Sequence, residues 1–365
     1  MATTQTHVGV PWDGRTAYEK WVEDELKLEL HRGYAATGLL KAPVAPWAER
    51  GISAAFYDII GAESLAGMYL GEIAPSKSSV PARQICDETI YVIAGRGGAS
   101  VETPSRTIEF EFGPRAMFAI PLNCRYRLHN GSGQEPLRYV SINTIPIVYN
   151  LFRDSSFVFQ NTHDFDRIVP PGNAADTVLY KPDPNHSRTA VDLHETMFVR
   201  DVYETHRTSF VERGAGRTVY FELANSNISA HVAENPGLHV NNPHRHGPSA
   251  FVFTLQGQGY TIMWQDGGRE VRFDWPQDDI GVVVPPNMWW HGHFFCSPKA
   301  MQLAIKLRSR KNPLNHLYDK SHKRVAEGGA VLKYGDLDAS LRERMLKTFI
   351  DECRKNGYEA NVPQA

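Results

Sequence analysis

The feature that most constrains this chain is an internal duplication. The apolar run Thr89 to Ala94 is followed by Gly95-Arg96-Gly97-Gly98, and Phe251 to Gln256 is followed by Gly257-Gln258-Gly259. The two turns start 162 residues apart, at 95 and 257, and Pro121 and Pro286 repeat at a spacing of 165. The elements come in the same order in both halves. A repeat of this length is a whole domain and not the unit of a solenoid. With 365 residues, of which 42% are hydrophobic, the chain can fill two cores.

The repeated elements are strands. From Ala54 onward the apolar runs are short, rich in Val, Ile, Tyr and Phe, and punctuated by Gly and Pro. That pattern predicts an all-β chain, and it fits a pair of jelly rolls as well as another β-sandwich. The flanks differ. Tyr18, Trp21, Val22, Leu26, Leu28 and Leu30 recur at helical spacing, which predicts an N-terminal helix within residues 14–33. Leu337, Leu341, Met345, Leu346, Phe349 and Ile350 predict a C-terminal helix, with Asp338 as its cap and Gly357 as its stop. The chain therefore divides into a helical arm (1–50), a first barrel (51–150), a turn-rich connector (151–215), a second barrel (216–310) and a helical extension (311–365).

The chemistry concentrates between Asn241 and His293 of the second copy. This stretch opens on His244-Arg245-His246 and closes on Pro285-Pro286-Asn287-Met288-Trp289-Trp290-His291-Gly292-His293. Residues i and i+2 of a strand share a face, so His244 and His246 converge while Arg245 points away. A third His from a strand folded alongside completes a set of three imidazoles, a donor type that suits Fe, Zn, Cu and Ni.

This stretch resembles the paired motifs of the cupins. Gly237, His244, His246 and Gly257 match the first motif, and Pro286 and His291 match the second. Ala250 stands where the first motif usually has Glu, and Met288 where the second has Gly. The His-Arg-His and the closing Trp-His-x-His look most like the gentisate and salicylate dioxygenase group. That resemblance implies two tandem cupin barrels, each a double-stranded β-helix or jelly roll. It also implies a metal held by His244, His246 and His291 without a carboxylate, and a dimer or tetramer. Fe(II) is the metal it favours, with Mn, Ni or Cu also compatible. The expected activity is oxidative cleavage of a hydroxylated aromatic acid, or a related chelating compound, by O2. The alternatives are another metal-dependent cupin enzyme, such as a decarboxylase or quercetinase, and a non-enzymatic binding cupin. Three neutral imidazoles leave the metal's charge uncompensated, which favours an anionic substrate.

Several residues are expected around that metal. His293, two past His291, is the candidate acid, base or hydrogen-bonding group. Trp290 is expected as an aromatic wall, and Asn242, Gln256 and Gln258 as polar substrate contacts. The group's carboxylate-gripping Arg position holds Val252, leaving Arg245 and Arg272 as nominal replacements. In the first copy the ligand positions map to Ala82, Gln84 and Tyr126, which predicts a barrel without metal.

Composition excludes other classes. The net charge of −2, with charges interspersed, gives no basic stripe for nucleic acid. No apolar run reaches membrane-spanning length, and Met1 to Val8 lack a signal-peptide core. Cys86, Cys124, Cys296 and Cys353 form no Cys-x-x-Cys, so reduced thiols in a cytoplasmic protein are expected.

Overall fold

A computed structural model describes residues 13–165, 172–181, 191–209, 216–307 and 323–362. Each half is a barrel of two sheets. In the first, Ile52–Ile59, Gly67–Ile73, Leu137–Asn143, Glu88–Ala94 and Met117–Ile120 lie side by side in that order, facing a smaller sheet of Arg125–Asn130, Gly97–Glu102 and Thr107–Phe112. The second repeats the order, with His239–Val240 as an added strand in its smaller sheet. Arg217–Leu223, Ser229–Asn235, Ala300–Lys306, Ala250–Gln256 and Gly281–Val283 face His239–Val240, Trp290–Phe295, Gly259–Trp264 and Glu270–Asp274. The fold is therefore all-β, two cupin-type jelly rolls in tandem.

The larger sheets pack against each other. Leu137–Asn143 and Ala300–Lys306 are buried at every position, because one face covers the barrel's own interior and the other meets the second barrel. Alternation separates the two faces. Phe251, Phe253, Leu303 and Ile305 join an apolar cluster shared with the first barrel, whereas Val252 and Ala304 join a separate cluster inside the second. Tyr91 meets Phe253 across the divide at 5.9 Å between ring centroids.

The duplication reaches further than the motifs show. Leu30–Gly33 pairs in parallel with Ile52–Ile59, and Leu193–Thr196 pairs in parallel with Arg217–Leu223. The chain then crosses over in each copy. Ala35–Ala36 adds to Gly281–Val283 of the second barrel, and Phe198–Val199 adds to Met117–Ile120 of the first. Both matches lie 163 residues apart (30 to 193, 35 to 198). The connector thus carries the head of the second copy as well as loops.

The N-terminal helix is shorter than its periodicity suggests. It runs as α-helix over Ala17–Lys20 and as π-helix over Trp21–Glu25, with Trp21 stacked on Tyr149 at 5.2 Å. Lys27 adopts a positive φ of 57° and ends it, so Leu30 enters a strand. The C-terminal helix forms over Ala339–Lys355, with Asp338 accepting from the backbone N–H of Ser340 and Leu341. Its Met345, Phe349 and Cys353 bury against Tyr260, Trp264, Trp290 and Phe294 on the outside of the second barrel. Among the described residues no helix is long and apolar enough to cross a membrane. His186 and the basic run 308–311 lie outside the described residues.

Candidate metal centre

Three histidines meet in the second barrel. His244 and His246 sit on the segment entering Ala250–Gln256, and His291 on Trp290–Phe295. A backbone bridge joins His244 to His291, and His246 O accepts from Met288 N at 2.8 Å, so the two motifs are tied directly. The ring centroids are 4.2 Å apart for His244 and His291, 4.5 Å for His246 and His291, and 5.7 Å for His244 and His246. One nitrogen from each ring lies within 4.8 Å of the others.

The backbone sets which nitrogen faces the centre. His244 Nδ1 lies 3.2 Å from Asn242 O, His246 Nδ1 2.9 Å from Gly247 O, and His291 Nδ1 3.2 Å from Trp289 O. A carbonyl can only accept, so each Nδ1 carries the proton and each Nε2 carries the lone pair. Three Nε2 lone pairs around one point suit a divalent transition ion. No carboxylate joins this group among the described residues.

His293 projects from the same face of its strand, 5.7 Å from His291 and 6.2 Å from His244 between ring centroids, but is not among the residues whose ring nitrogens gather within 4.8 Å. Its Nδ1 faces Thr261 Oγ1 at 2.9 Å and Gln302 Nε2 at 3.4 Å. Met263, Val252, Val283, Phe295 and Trp275 pack together as the apolar cluster of the same barrel.

The other expected contacts fare unevenly. Asn242 contributes its carbonyl, which orients His244. Trp290 does not reach the cluster. It alternates with His291, so its indole turns outward, donates to Asp266 Oδ1 at 2.9 Å and carries the Arg245 guanidinium 4.4 Å above its ring. Gln256 and Gln258 are at the far end, six or more residues along from Ala250, about 20 Å on a strand. There they line an open cleft of about 810 Å³ with Asp278, Asp279 and Lys299. Neither nominal Arg enters the barrel, because Arg272 binds Asp274 and Glu352 on the outer face. Cys296 likewise packs outward, beneath the C-terminal helix with Cys353, and all four cysteines are free and buried.

The sequence reading missed three groups. Thr261, Trp275 and Gln302 line the interior beside His293. Tyr34, from the crossing N-terminal strand, packs 5.9 Å from Trp289 at the rim and carries Arg269 5.1 Å above its ring. The third surrounds Glu88 of the first barrel. Glu88 is fully buried and accepts from Tyr69 and Ser141 at 2.6 Å, Tyr126 at 2.7 Å and Gln84 at 3.0 Å. The buried Arg50 guanidinium donates to Gln84 and Tyr126. Ala82, Gln84 and Tyr126 correspond to His244, His246 and His291, since Ala82 bridges Tyr126 as His244 bridges His291. The ligand positions of the first barrel thus lead into a protein charge network.

No family model matches the chain, and no curated protein does. Solved structures similar to it include an oxalate decarboxylase of Lactobacillus farciminis, at 13% identity over 75% of this chain and 86% of that one, with a TM-score of 0.48. A Bacillus subtilis oxalate decarboxylase is similar at 12% identity, covering 84% and 86%, with a TM-score of 0.48. Hazelnut (Corylus avellana) vicilin is similar at 10% identity, covering 76% and 86%, with a TM-score of 0.47.

Proposed function

We propose that the second barrel is the active site of a non-haem Fe(II)-dependent dioxygenase acting on a hydroxylated aromatic acid or a related chelating anion. The observation that carries this reading is the set of three imidazoles whose Nδ1 protons are held by backbone carbonyls, with no carboxylate beside them. An Fe(II) held there would supply open coordination positions and the one-electron steps that O2 chemistry requires.

The chain's own part is binding and orientation. His244, His246 and His291 would hold the ion from one side. Uncompensated positive charge there attracts an anionic substrate more strongly in the apolar interior than in water. The apolar side chains of Val252, Met263, Val283 and Phe295 in this interior would keep water from the bound ion. His293 would stand beside the bound substrate and donate a hydrogen bond to an oxygen as charge develops on it. The first barrel, whose ligand positions are filled by side chains, acts as support.

The test is metal analysis followed by O2 uptake. Protein reconstituted anaerobically with Fe(II) is screened against gentisate, salicylates, catechols and hydroxynaphthoates. About one iron per chain with substrate-dependent O2 consumption supports the reading. Release of CO2 without O2 uptake, or activity only with Mn(II), moves the same site to a decarboxylase, and absence of bound metal removes both.

A further inference from the structure

We propose that Thr261, Trp275 and Gln302 set the tautomer of His293 opposite to that of its three neighbours, making it a hydrogen-bond donor and not a fourth ligand. The inference rests on the reading of His244, His246 and His291 as ligands but concerns the protein's own protons. Four imidazoles share the interior of one barrel, and their Nδ1 surroundings fall into two kinds. Three face carbonyl oxygens, which only accept. The fourth faces a hydroxyl and an amide nitrogen.

The hydroxyl is held from behind. Trp275 Nε1 donates to Thr261 Oγ1 at 3.0 Å, and an indole N–H has no other role. That occupies one of the hydroxyl's two lone pairs and leaves its proton free to turn to His293 Nδ1, 2.9 Å away; which way this bond runs is decided by the third group. Gln302 turns its amide nitrogen, also a donor, to the same atom at 3.4 Å. Two donors at Nδ1 are satisfied together only when Nδ1 holds the lone pair, so the proton sits on Nε2. Thr261 is fully buried, and Trp275 and Gln302 are each 5% exposed, so water does not substitute for these contacts. Thr261 lies directly opposite His293 in strand register, which fixes the pair through the backbone.

The consequence is a division of labour. An Nε2–H cannot coordinate a metal, but it can donate to a negatively charged oxygen of a bound anion. Thr261, Trp275 and Gln302 act through His293 and are positioning residues.

Long-range 1H–15N correlation on histidine-labelled, metal-free protein reads each ring's tautomer, with His293 assigned by its loss in His293→Asn. The expected spectrum shows His293 as the Nε2–H form and His244, His246 and His291 as the Nδ1–H form. Gln302→Glu places an acceptor at Nδ1 and should convert His293 to the Nδ1–H form. With Co(II) bound, that variant should change the visible d–d bands as a fourth nitrogen enters, while Gln302→Leu should leave them unchanged. In the active enzyme, Thr261→Val should lower kcat about tenfold with KM within about twofold, and Thr261→Ser should restore it. A native His293 in the Nδ1–H form, or a tautomer unmoved in Gln302→Glu, overturns the proposal. If O2 uptake fails while the tautomers are as stated, the dioxygenase reading falls and this inference stands.

Discussion

His244 and His291 exchange both backbone hydrogen bonds, His244 N to His291 O at 3.0 Å and His291 N to His244 O at 2.9 Å. Ala82 and Tyr126 do the same in the first barrel at 2.9 and 2.8 Å. The backbone of the metal cradle has therefore been kept in both copies, while its side chains have diverged. In one barrel the cradle gathers three lone pairs, and in the other it carries a phenol and an amide between Arg50 and Glu88.

Metal loss should be visible as loss of stability. His244→Ala and His291→Ala are expected to abolish metal binding, while His293→Ala keeps about one metal per chain and slows turnover about 100-fold or more. An ion at 100 times its Kd stabilises the native state by about 2.7 kcal/mol. Chelation should then lower the Tm of the native protein by about 3–4 °C, and leave that of His244→Ala unmoved. Elemental analysis and thermal melts with and without chelator check this. Metal retained in His244→Ala would refute the ligand set.

Arg50 and Glu88 should be needed for stability and not for metal content. Arg50→Met leaves the buried Glu88 carboxylate without its cation, which typically costs about 3–5 kcal/mol. Urea unfolding should show that loss, with metal per folded chain unchanged. A fall in metal content together with an undiminished midpoint would instead place an ion in the first barrel.

Gly61 links the first barrel to the metal loops. A Cβ there would come within 2.1 Å of Val284 O and 2.8 Å of Pro285 O, both backbone atoms leading into the His291 motif. Gly61 O also accepts from Ser249 N at 2.9 Å, next to the strand that follows His246. Gly61→Ala should therefore weaken metal affinity about tenfold from a position in the other barrel. Metal titration of the folded variant checks this, and unchanged affinity would show that the loops absorb the intrusion.

Tyr34 should matter to substrate more than to metal. It forms part of the rim with Trp289 and supports Arg269. Tyr34→Ala is expected to raise KM about tenfold while metal stoichiometry stays at one. A variant with unaltered KM would show that substrate enters without touching this rim.

Strand alternation made much of this legible. The i, i+2 spacing brought His244 and His246 together, and the Gly turns aligned the two copies closely enough to find Ala82, Gln84 and Tyr126. The same parity, applied to Trp290, would have turned it outward as soon as His291 was placed inward. Gln256 was misplaced for a simpler reason, since its distance along the strand from Ala250 was not weighed. Tyr34, Trp275 and Gln302 are different. Tyr34 reaches the rim from a segment 255 residues before Trp289, which no local pattern marks. Trp275 and Gln302 lie only 14 and 9 residues from the groups they bond, but on other segments whose pairing the sequence does not state. The N-terminal helix was overextended because Leu28 and Leu30 serve a strand whose parallel partner lies in the barrel.

The reciprocal crossing of Ala35–Ala36 and Phe198–Val199 also decides how the molecule can be divided. A nick in the loops between the copies would not release two self-sufficient proteins. The downstream fragment would lack the short strand that covers Gly281–Val283, and would present a bare edge ready to pair with any extended chain. The upstream fragment would miss its cover on Met117–Ile120. Produced separately, the pieces should aggregate. Produced together, each holds the strand the other lacks, and they should reassemble as a two-chain complex with its histidines in place.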